Sequence, residues 1–139
     1  REIHDPHYTY KLAWLDKLAD YAANGPDKLC LVGDFNIAPR DKDVWDRSYF
    51  EGKTHVTPKE RAALSKLEEA GLTQATTLIE DEYTYWDYQA LRFQKGEGIR
   101  IDLQYARGIT ATGARVDRDE RKGKGASDHA PVIVDYQTN

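Results

Sequence analysis

The segment from Lys28 to Gly33 constrains the fold of this chain more than any other. It is short, continuously apolar and bounded by turn residues, which predicts a fully buried β-strand. We expect Cys30 to lie within it as a small buried hydrophobic residue, and the single cysteine favours a reducing, cytoplasmic setting. An acid and an amide, Asp34 and Asn36, follow directly. Polar groups at the end of a buried strand predict a ligand site, although Asp34 would also suit a turn that caps its own backbone.

The remaining pattern predicts two helices and several strands. Apolar residues recur at helical spacing before Asn24-Gly25-Pro26 and predict an amphipathic helix over residues 8–23. A second helix is predicted from Thr57, which forms a capping box with Glu60, to Gly71. Strand-like segments follow at residues 84–88, 99–106, 109–115 and 131–136. This order predicts an α/β (α+β layered) domain whose C-terminal part is mostly antiparallel.

Composition and missing motifs exclude several classes of protein. Of 139 residues, 40% are hydrophobic and 32% are charged, and no apolar run approaches the roughly 18 residues of a membrane span. We therefore expect one globular domain without a membrane partner. The absence of methionine and the start at Arg1 lead us to expect a fragment or a processed product. P-loop, zinc-peptidase and serine-hydrolase motifs are absent, so these classes lose their main support.

Two later segments contain acids or an imidazole within strand patterns. Asp102 lies among apolar residues, where burial would require a partner for the carboxylate; alternatively it lies on a solvated face. Asp128 and His129 precede the last predicted strand, and such a pair suits metal, phosphate or acid–base chemistry, although adjacent Asp and His residues are also common in loops. Hard oxygen and imidazole donors favour Mg²⁺ or Mn²⁺ over Zn²⁺ or copper.

The charge is distributed unevenly along the chain. Residues 1–89 carry 11 basic and 17 acidic side chains, whereas residues 90–125 carry 9 basic and 5 acidic ones, just after a tyrosine- and tryptophan-rich segment. Basic groups beside aromatic ones are typical of nucleic-acid binding, but a solvated hairpin would give the same pattern. His4, His7 and His55 have no ligand spacing, and we expect them at the surface.

Four motifs together resemble one enzyme family. They occur in order as Gly33-Asp34-Phe35-Asn36, Tyr83 to Tyr88, Gly98 to Asp102, and Ser127 to Pro131. Their order and spacing resemble the exodeoxyribonuclease III family of apurinic/apyrimidinic endonucleases, within the endonuclease/exonuclease/phosphatase superfamily. The resemblance covers nearly the whole chain but only the C-terminal half of such an enzyme. It implies half of a four-layer, DNase I-like α/β sandwich over residues 1–139, with a mostly antiparallel sheet flanked by helices.

The resemblance also implies roles for the polar residues of the motifs. Asp34 would orient or deprotonate the attacking water, while Asn36 and His129 would hold the scissile phosphate. Asp102 would orient His129, and Asp128, with Asp34, would help to bind Mg²⁺ or Mn²⁺. Six positions match substrate contacts, with Tyr85, Ile99 and Ile101 in the pocket for a flipped-out abasic sugar, Trp86 beside it, and Gln89 and Arg92 near the strand-opening loop.

The implied activity is incision 5′ to an abasic site, with related 3′–5′ exonuclease and 3′-phosphatase activity. The implied partners are double-stranded DNA with abasic sites or 3′-blocked ends and the missing N-terminal half. Without that half we expect little or no activity, and self-association through an exposed apolar sheet face. Two alternatives remain open, namely a superfamily phosphatase or phosphodiesterase acting on other substrates and a catalytically dead binding or structural module.

Overall fold

Two helices cover one face of a three-stranded antiparallel sheet. The computed structural model describes residues 2–138, with the backbone alone at Ala90. Within that range the sheet has the order β1-β3-β2, formed by Leu29–Asp34, Asp102–Arg107 and Thr73–Gln74. A second antiparallel sheet pairs β4 (Ile109–Val116) with β5 (Val132–Thr138). The three α-helices of the described chain are α1 (Pro6–Asn24), α2 (Pro58–Glu69) and the short α3 (Arg92–Lys95). The expected layered, mostly antiparallel α/β fold is confirmed.

Local signals at both ends of the long helices explain where they form. The Asp5 carboxylate accepts a hydrogen bond from the His7 N–H and caps α1, so the helix begins slightly before the predicted residues 8–23. The capping box of α2 is present as predicted, since Thr57 and Glu60 each accept a backbone N–H of the other. Gly71 follows α2 with φ of +95°, a backbone conformation that glycine adopts readily.

The core lies between α1, α2 and one face of the larger sheet. Leu15 and Leu67 contribute from the two helices, and Leu103 and Tyr105 contribute from β3. β1 contributes only alternate residues to this core, so the prediction of a fully buried strand is wrong. Cys30 is exposed on the opposite face, which corrects the expected burial. The physical reason is that β1 has helices on one side only, and none of the described residues covers Val32, which is 62% exposed.

The predicted C-terminal strands form with two corrections. The segments predicted at 109–115 and 131–136 correspond to β4 and β5. The strand predicted at 84–88 is wrong, because Tyr85 makes only isolated bridges, to Ile99 on one side and to His129 on the other. The strand predicted over 99–106 begins only at Asp102. None of the described helices is both long and apolar enough to cross a membrane.

Candidate active site

The pairing of β1 with β3 places two acids opposite each other. Asp34, the last residue of β1, is the register partner of Asp102, the first residue of β3. Like charges directly opposite on antiparallel strands destabilise a sheet, so this position is costly unless a cation or a proton lies between the carboxylates. The imidazole of His129 contacts both side chains.

His129 reaches the two acids from the loop before β5. The Ser127 hydroxyl accepts a hydrogen bond from the His129 N–H at 3.1 Å, and the His129 backbone bridges to Tyr85. The Ala130 N–H donates to the Thr84 carbonyl at 2.8 Å, which fixes the residue after the histidine as well. The rings of Tyr85 and His129 lie 4.9 Å apart between centroids. Backbone and ring contacts therefore hold the imidazole in place.

Three carboxylates surround the imidazole of His129. Its Nδ1 lies 2.7 Å from Asp102 Oδ2, so this nitrogen donates and the carboxylate accepts. Its Nε2 lies 3.7 Å from Asp34 Oδ2 and 3.9 Å from Asp128 Oδ1. The hydrogen bond to Asp102 raises the pKa of His129 above its usual value, and burial only partly opposes this effect. The raised pKa favours the imidazolium, which then faces the two other acids through Nε2.

Asp34 also closes a tight turn. Its Oδ1 accepts a hydrogen bond from the Asn36 N–H at 2.8 Å, so the turn role considered from the sequence is present in addition to the contact with His129. Asn36 adopts a left-handed conformation with φ of 53°, and its carbonyl accepts hydrogen bonds from Lys11 Nζ and His55 Nδ1. Burial raises the pKa of Asp34, and the charge of Asp102 raises it further. The structure thus holds a partly accessible carboxylate beside another acid.

An aromatic cleft of about 790 Å³ adjoins this cluster. Its lining includes Asp34, Asn36 and His129. Four of the six predicted substrate contacts also line it, namely Tyr85, Arg92, Ile99 and Ile101. The Thr84 hydroxyl accepts hydrogen bonds from the N–H groups of both Ile101 and Asp102 at 3.1 Å, which links the cleft wall to the acid pair.

Two predicted substrate contacts do not line this cleft. Trp86 is 1% exposed and packs edge-on against Phe93 at 5.1 Å, so it is a core residue, and its assignment to substrate binding is corrected. The physical reason is that Tyr85 and Trp86 are neighbours on an extended segment and point in opposite directions. Gln89 is exposed at the start of a 3₁₀ turn, where its N–H is bound by the Asp87 carboxylate.

His55 is a cleft residue that sequence reasoning missed, because it was expected at the surface. Its ring lines the cleft, and burial lowers its pKa to about 4, so it is neutral at physiological pH. Its backbone has φ of 88°, and its N–H donates to the buried carboxylate of Glu60. Glu60 also forms an ion pair with Lys11. The one available signal was the capping box, which places Glu60 beside this loop.

The donor set of the cluster fits a hard divalent cation. Asp34, Asp102 and His129 each place a ligand atom within 4.8 Å of the others. Asp128 lies beside this group and contributes a further carboxylate close to His129 Nε2. Mg²⁺ is commonly bound through one or two carboxylates and keeps several waters, so these acids suit Mg²⁺ or Mn²⁺.

Paired acids around an imidazole, beside a cleft in a layered α/β fold, form an arrangement that can bind a divalent cation and a phosphate. The family model of the Endonuclease/Exonuclease/phosphatase family matches residues 2–129, so the chain belongs to this family.

Three relatives illustrate the similarity. Exodeoxyribonuclease III from Haemophilus influenzae is 26% identical over 153 residues, covering 96% of this chain and 56% of the relative. A 3′ phosphatase from Neisseria bound to a product DNA hairpin superposes with a TM-score of 0.89 at 32% identity, over 97% of this chain and 56% of that one. An AP endonuclease from Archaeoglobus fulgidus has a TM-score of 0.88 at 26% identity, over 99% and 57% of the two chains. The chain therefore spans about half the length of these relatives.

Proposed function

We propose that this chain carries the phosphate-binding half of a divalent-metal-dependent DNA phosphodiesterase of the exodeoxyribonuclease III type. The observation that carries the proposal is the contact of one imidazole, His129, with both Asp34 and Asp102 on the wall of an aromatic cleft. The relatives' names include an exonuclease, a 3′ phosphatase and an AP endonuclease, which supports action on DNA ends and abasic sites.

The proposed reaction is attack of water on a phosphodiester. Asp34 orients the water and accepts its proton, and the raised pKa of this carboxyl brings it closer to the range of an efficient base. His129 Nε2 and the Asn36 amide donate hydrogen bonds to non-bridging phosphate oxygens, whose negative charge grows during attack. The water oxygen bonds to phosphorus, the bond to the 3′ oxygen breaks, and that oxygen takes up a proton from solvent.

Asp102 acts through His129 in this scheme. The Asp102 carboxylate accepts a hydrogen bond from Nδ1 of the imidazole. Nε2 of the imidazole is therefore directed away from Asp102 and toward Asp34 and Asp128. Asp34 and Asp128 would hold Mg²⁺ or Mn²⁺, which when bound stabilises charge on the phosphoryl oxygens. Tyr85, Ile99 and Ile101 would form the apolar wall against which an abasic sugar lies.

We infer that residues 1–139 form part of a larger domain, since the chain covers about 56% of its relatives. Because the rest of that domain would contribute further ligands, we expect the isolated chain to have little activity. Its partners are the complementary N-terminal half and double-stranded DNA with an abasic site or a blocked 3′ end. The cytoplasmic setting remains a prediction from cysteine usage.

The direct test is incision of a duplex with one synthetic abasic site, and release of phosphate from a 3′-phosphorylated duplex. Each substrate is incubated with Mg²⁺ or EDTA, with the chain alone and with the chain mixed with the N-terminal half of a relative. We expect Mg²⁺-dependent cleavage in the mixture and its loss in Asp34→Asn. Hydrolysis of small phosphoesters without cleavage of either DNA would instead support the phosphatase alternative.

Metal binding by the chain alone gives a second test. We expect Mg²⁺ to raise the melting temperature, EDTA to reverse the shift, and Asp128→Ala to weaken it, because ligands that bind only the folded state stabilise it. An equal shift in the wild type and in Asp128→Ala would remove Asp128 from the metal site. A chain that binds DNA but shows no metal-dependent shift would support the binding-module alternative.

A further inference from the structure

A cluster of aromatic and basic side chains lines the same cleft and has no role in the scheme above. The rings of Trp45 and Tyr49 contact each other with centroids 4.9 Å apart and planes tilted by 39°. The guanidinium of Arg92 lies 4.9 Å from the Trp45 ring and 5.0 Å from the Tyr49 ring. The ammonium of Lys53 lies 3.6 Å from the Tyr49 centroid. All four residues line the cleft that contains Asp34 and His129.

The two cations of the cluster differ in how they are held. Arg92 donates to Glu97 at 2.7 Å and to the Tyr49 hydroxyl at 3.2 Å, so its charge is compensated and its position is fixed. Among residues 2–138, Lys53 forms no ion pair with a carboxylate, and its ammonium lies over the Tyr49 ring. A flexible cation over an aromatic face, without an acidic partner, is available to an incoming anion.

Backbone hydrogen bonds connect this cluster to the reacting group. Val44, next to Trp45, bridges to Ile99, Ile99 bridges to Tyr85, and Tyr85 bridges to His129. Three successive steps at strand spacing put the backbones of Val44 and His129 about 14 Å apart. The Trp45 N–H is further fixed by the Gly98 carbonyl at 3.1 Å. One nucleic-acid strand lying along the cleft would meet both places.

We propose that Trp45, Tyr49 and Lys53 form a subsite for an unpaired nucleotide that retains its base, in the same cleft as the reacting phosphate. The base stacks on the Tyr49 face that Lys53 now covers, Trp45 packs beside that ring, and Lys53 moves from the ring to the phosphate of that nucleotide. This inference rests on the proposed function for the choice of DNA as ligand. It specifies a preference among DNA ends, since the subsite favours unpaired ends that carry a base over ends that lack one.

The test measures binding in EDTA, so that cleavage does not intervene. Two fluorescent duplexes are compared, each with one unpaired 3′ nucleotide, which is either a normal thymidine or a tetrahydrofuran abasic analogue. We expect the wild-type chain to bind the base-bearing end about tenfold more tightly, as one stacked base implies. Tyr49→Leu should abolish this preference, while Tyr49→Phe, which keeps the ring, should retain it.

The salt dependence of binding tests the role of Lys53 separately. Lys53→Ala should weaken binding of both duplexes equally and reduce the slope of log Kd against log salt by about 0.7, the value for one phosphate contact in a single strand. Tyr49→Leu should leave that slope unchanged. Tyr21→Leu serves as the matched control, because this exposed tyrosine lies on α1 and outside the cleft.

The outcomes separate this inference from the proposed function. Equal binding of both duplexes by the wild type, or an equal loss for both in Tyr49→Leu, would overturn the nucleotide subsite and leave the DNA enzyme intact. A wild-type chain that binds neither duplex at low salt would also overturn the subsite, whereas the proposed function is tested separately by cleavage in the mixture with the N-terminal half.

Discussion

His129 is the residue on which the proposed chemistry of the site depends. Its Nδ1 is 2.7 Å from Asp102, and two further acids lie within 4 Å of Nε2. Because the surrounding charge is mainly negative, the imidazolium is favoured over the neutral ring, and a cation or a protonated imidazole relieves the repulsion between Asp34 and Asp102.

The first prediction concerns the proton on His129. Since the hydrogen bond to Asp102 is the largest cause of the raised pKa, Asp102→Asn should lower the pKa of His129 toward or below its ordinary value of 6.5. The measurement is an NMR titration of the imidazole resonances in both proteins. Asp135→Asn, an exposed acid on β5, is the control. An unchanged pKa in Asp102→Asn would show that the hydrogen bond is not its main cause.

The same shift predicts a pH dependence of stability. A histidine whose folded pKa lies above the unfolded value stabilises the fold fully below the unfolded pKa and loses this effect as pH rises through the folded pKa. The stability difference between the wild type and Asp102→Asn should therefore be largest near pH 5 and shrink above the raised pKa. Urea unfolding at a series of pH values measures it.

A further prediction at the residue scale concerns the stability of Asp34→Asn. Burial and the neighbouring charge of Asp102 raise its pKa, so its ionised form costs stability at neutral pH. Asp34→Asn keeps an oxygen that can accept from the Asn36 N–H and removes the charge. We expect the variant to be inactive but more stable, by roughly 0.2–1 kcal/mol, the size of a cross-strand pair effect. A lower urea midpoint than that of the wild type would contradict this account.

At the residue scale, the sequence predicts well which polar residues belong to the candidate site. It predicts less well which other side chains lie around them. Asp34, Asp102 and His129 could be singled out because acids and an imidazole at strand ends are costly without a function. The position of His55 could not, because it depends on a left-handed backbone and on a contact with Glu60 across a turn. Trp86 was misplaced for a related reason, since alternation along an extended segment decides which aromatic residue faces the cleft.

At the scale of elements, close packing around Gly98 fixes the aromatic segment. A Cβ at this position would lie 2.5 Å from the Trp86 ring nitrogen and 2.8 Å from Tyr83 Cβ. Since Trp86 is buried and cannot move freely, Gly98→Ala should destabilise the protein by about 1–3 kcal/mol, as overpacking does. Gly113→Ala is the control, because the nearest atom to its Cβ is the Asp135 carboxylate at 4.0 Å. Equal urea midpoints for the two variants would contradict the expectation.

The elements themselves differ in how far local signals determine them. α1 and α2 are predictable because their caps, Asp5 and Thr57, satisfy free N–H groups by contacts within a few residues. The segment around Tyr85 is different, because its bridges reach Ile99 and His129, which are distant in sequence. The short strand β2 was missed for the same reason, since its two residues are defined only by their pairing with β3.

At the scale of the whole molecule, one face of the larger sheet is only partly covered by the described residues, since Tyr136 of β5 contacts Cys30 and Gln104 there. Val32 is 62% exposed and Cys30 is exposed on the same strand face. We expect the chain to self-associate through this face, because exposed apolar sheet surface favours burial. Val32→Lys should shift the protein toward monomer in sedimentation velocity, whereas Tyr21→Lys, at an exposed apolar position on α1, should not. A wild-type chain that is monomeric at all accessible concentrations would contradict this.

The opposition of Asp34 and Asp102 ties the assembly of the site to the folding of the sheet. A slip of one residue between β1 and β3 would turn Leu29 and Leu31 away from the helices and would separate the acids in the same step. A form with the wrong register between β1 and β3 loses both the opposition of the two acids and the packing of Leu29 and Leu31 against the helices. The correct register of β1 and β3 and the opposition of Asp34 and Asp102 are thus a single event.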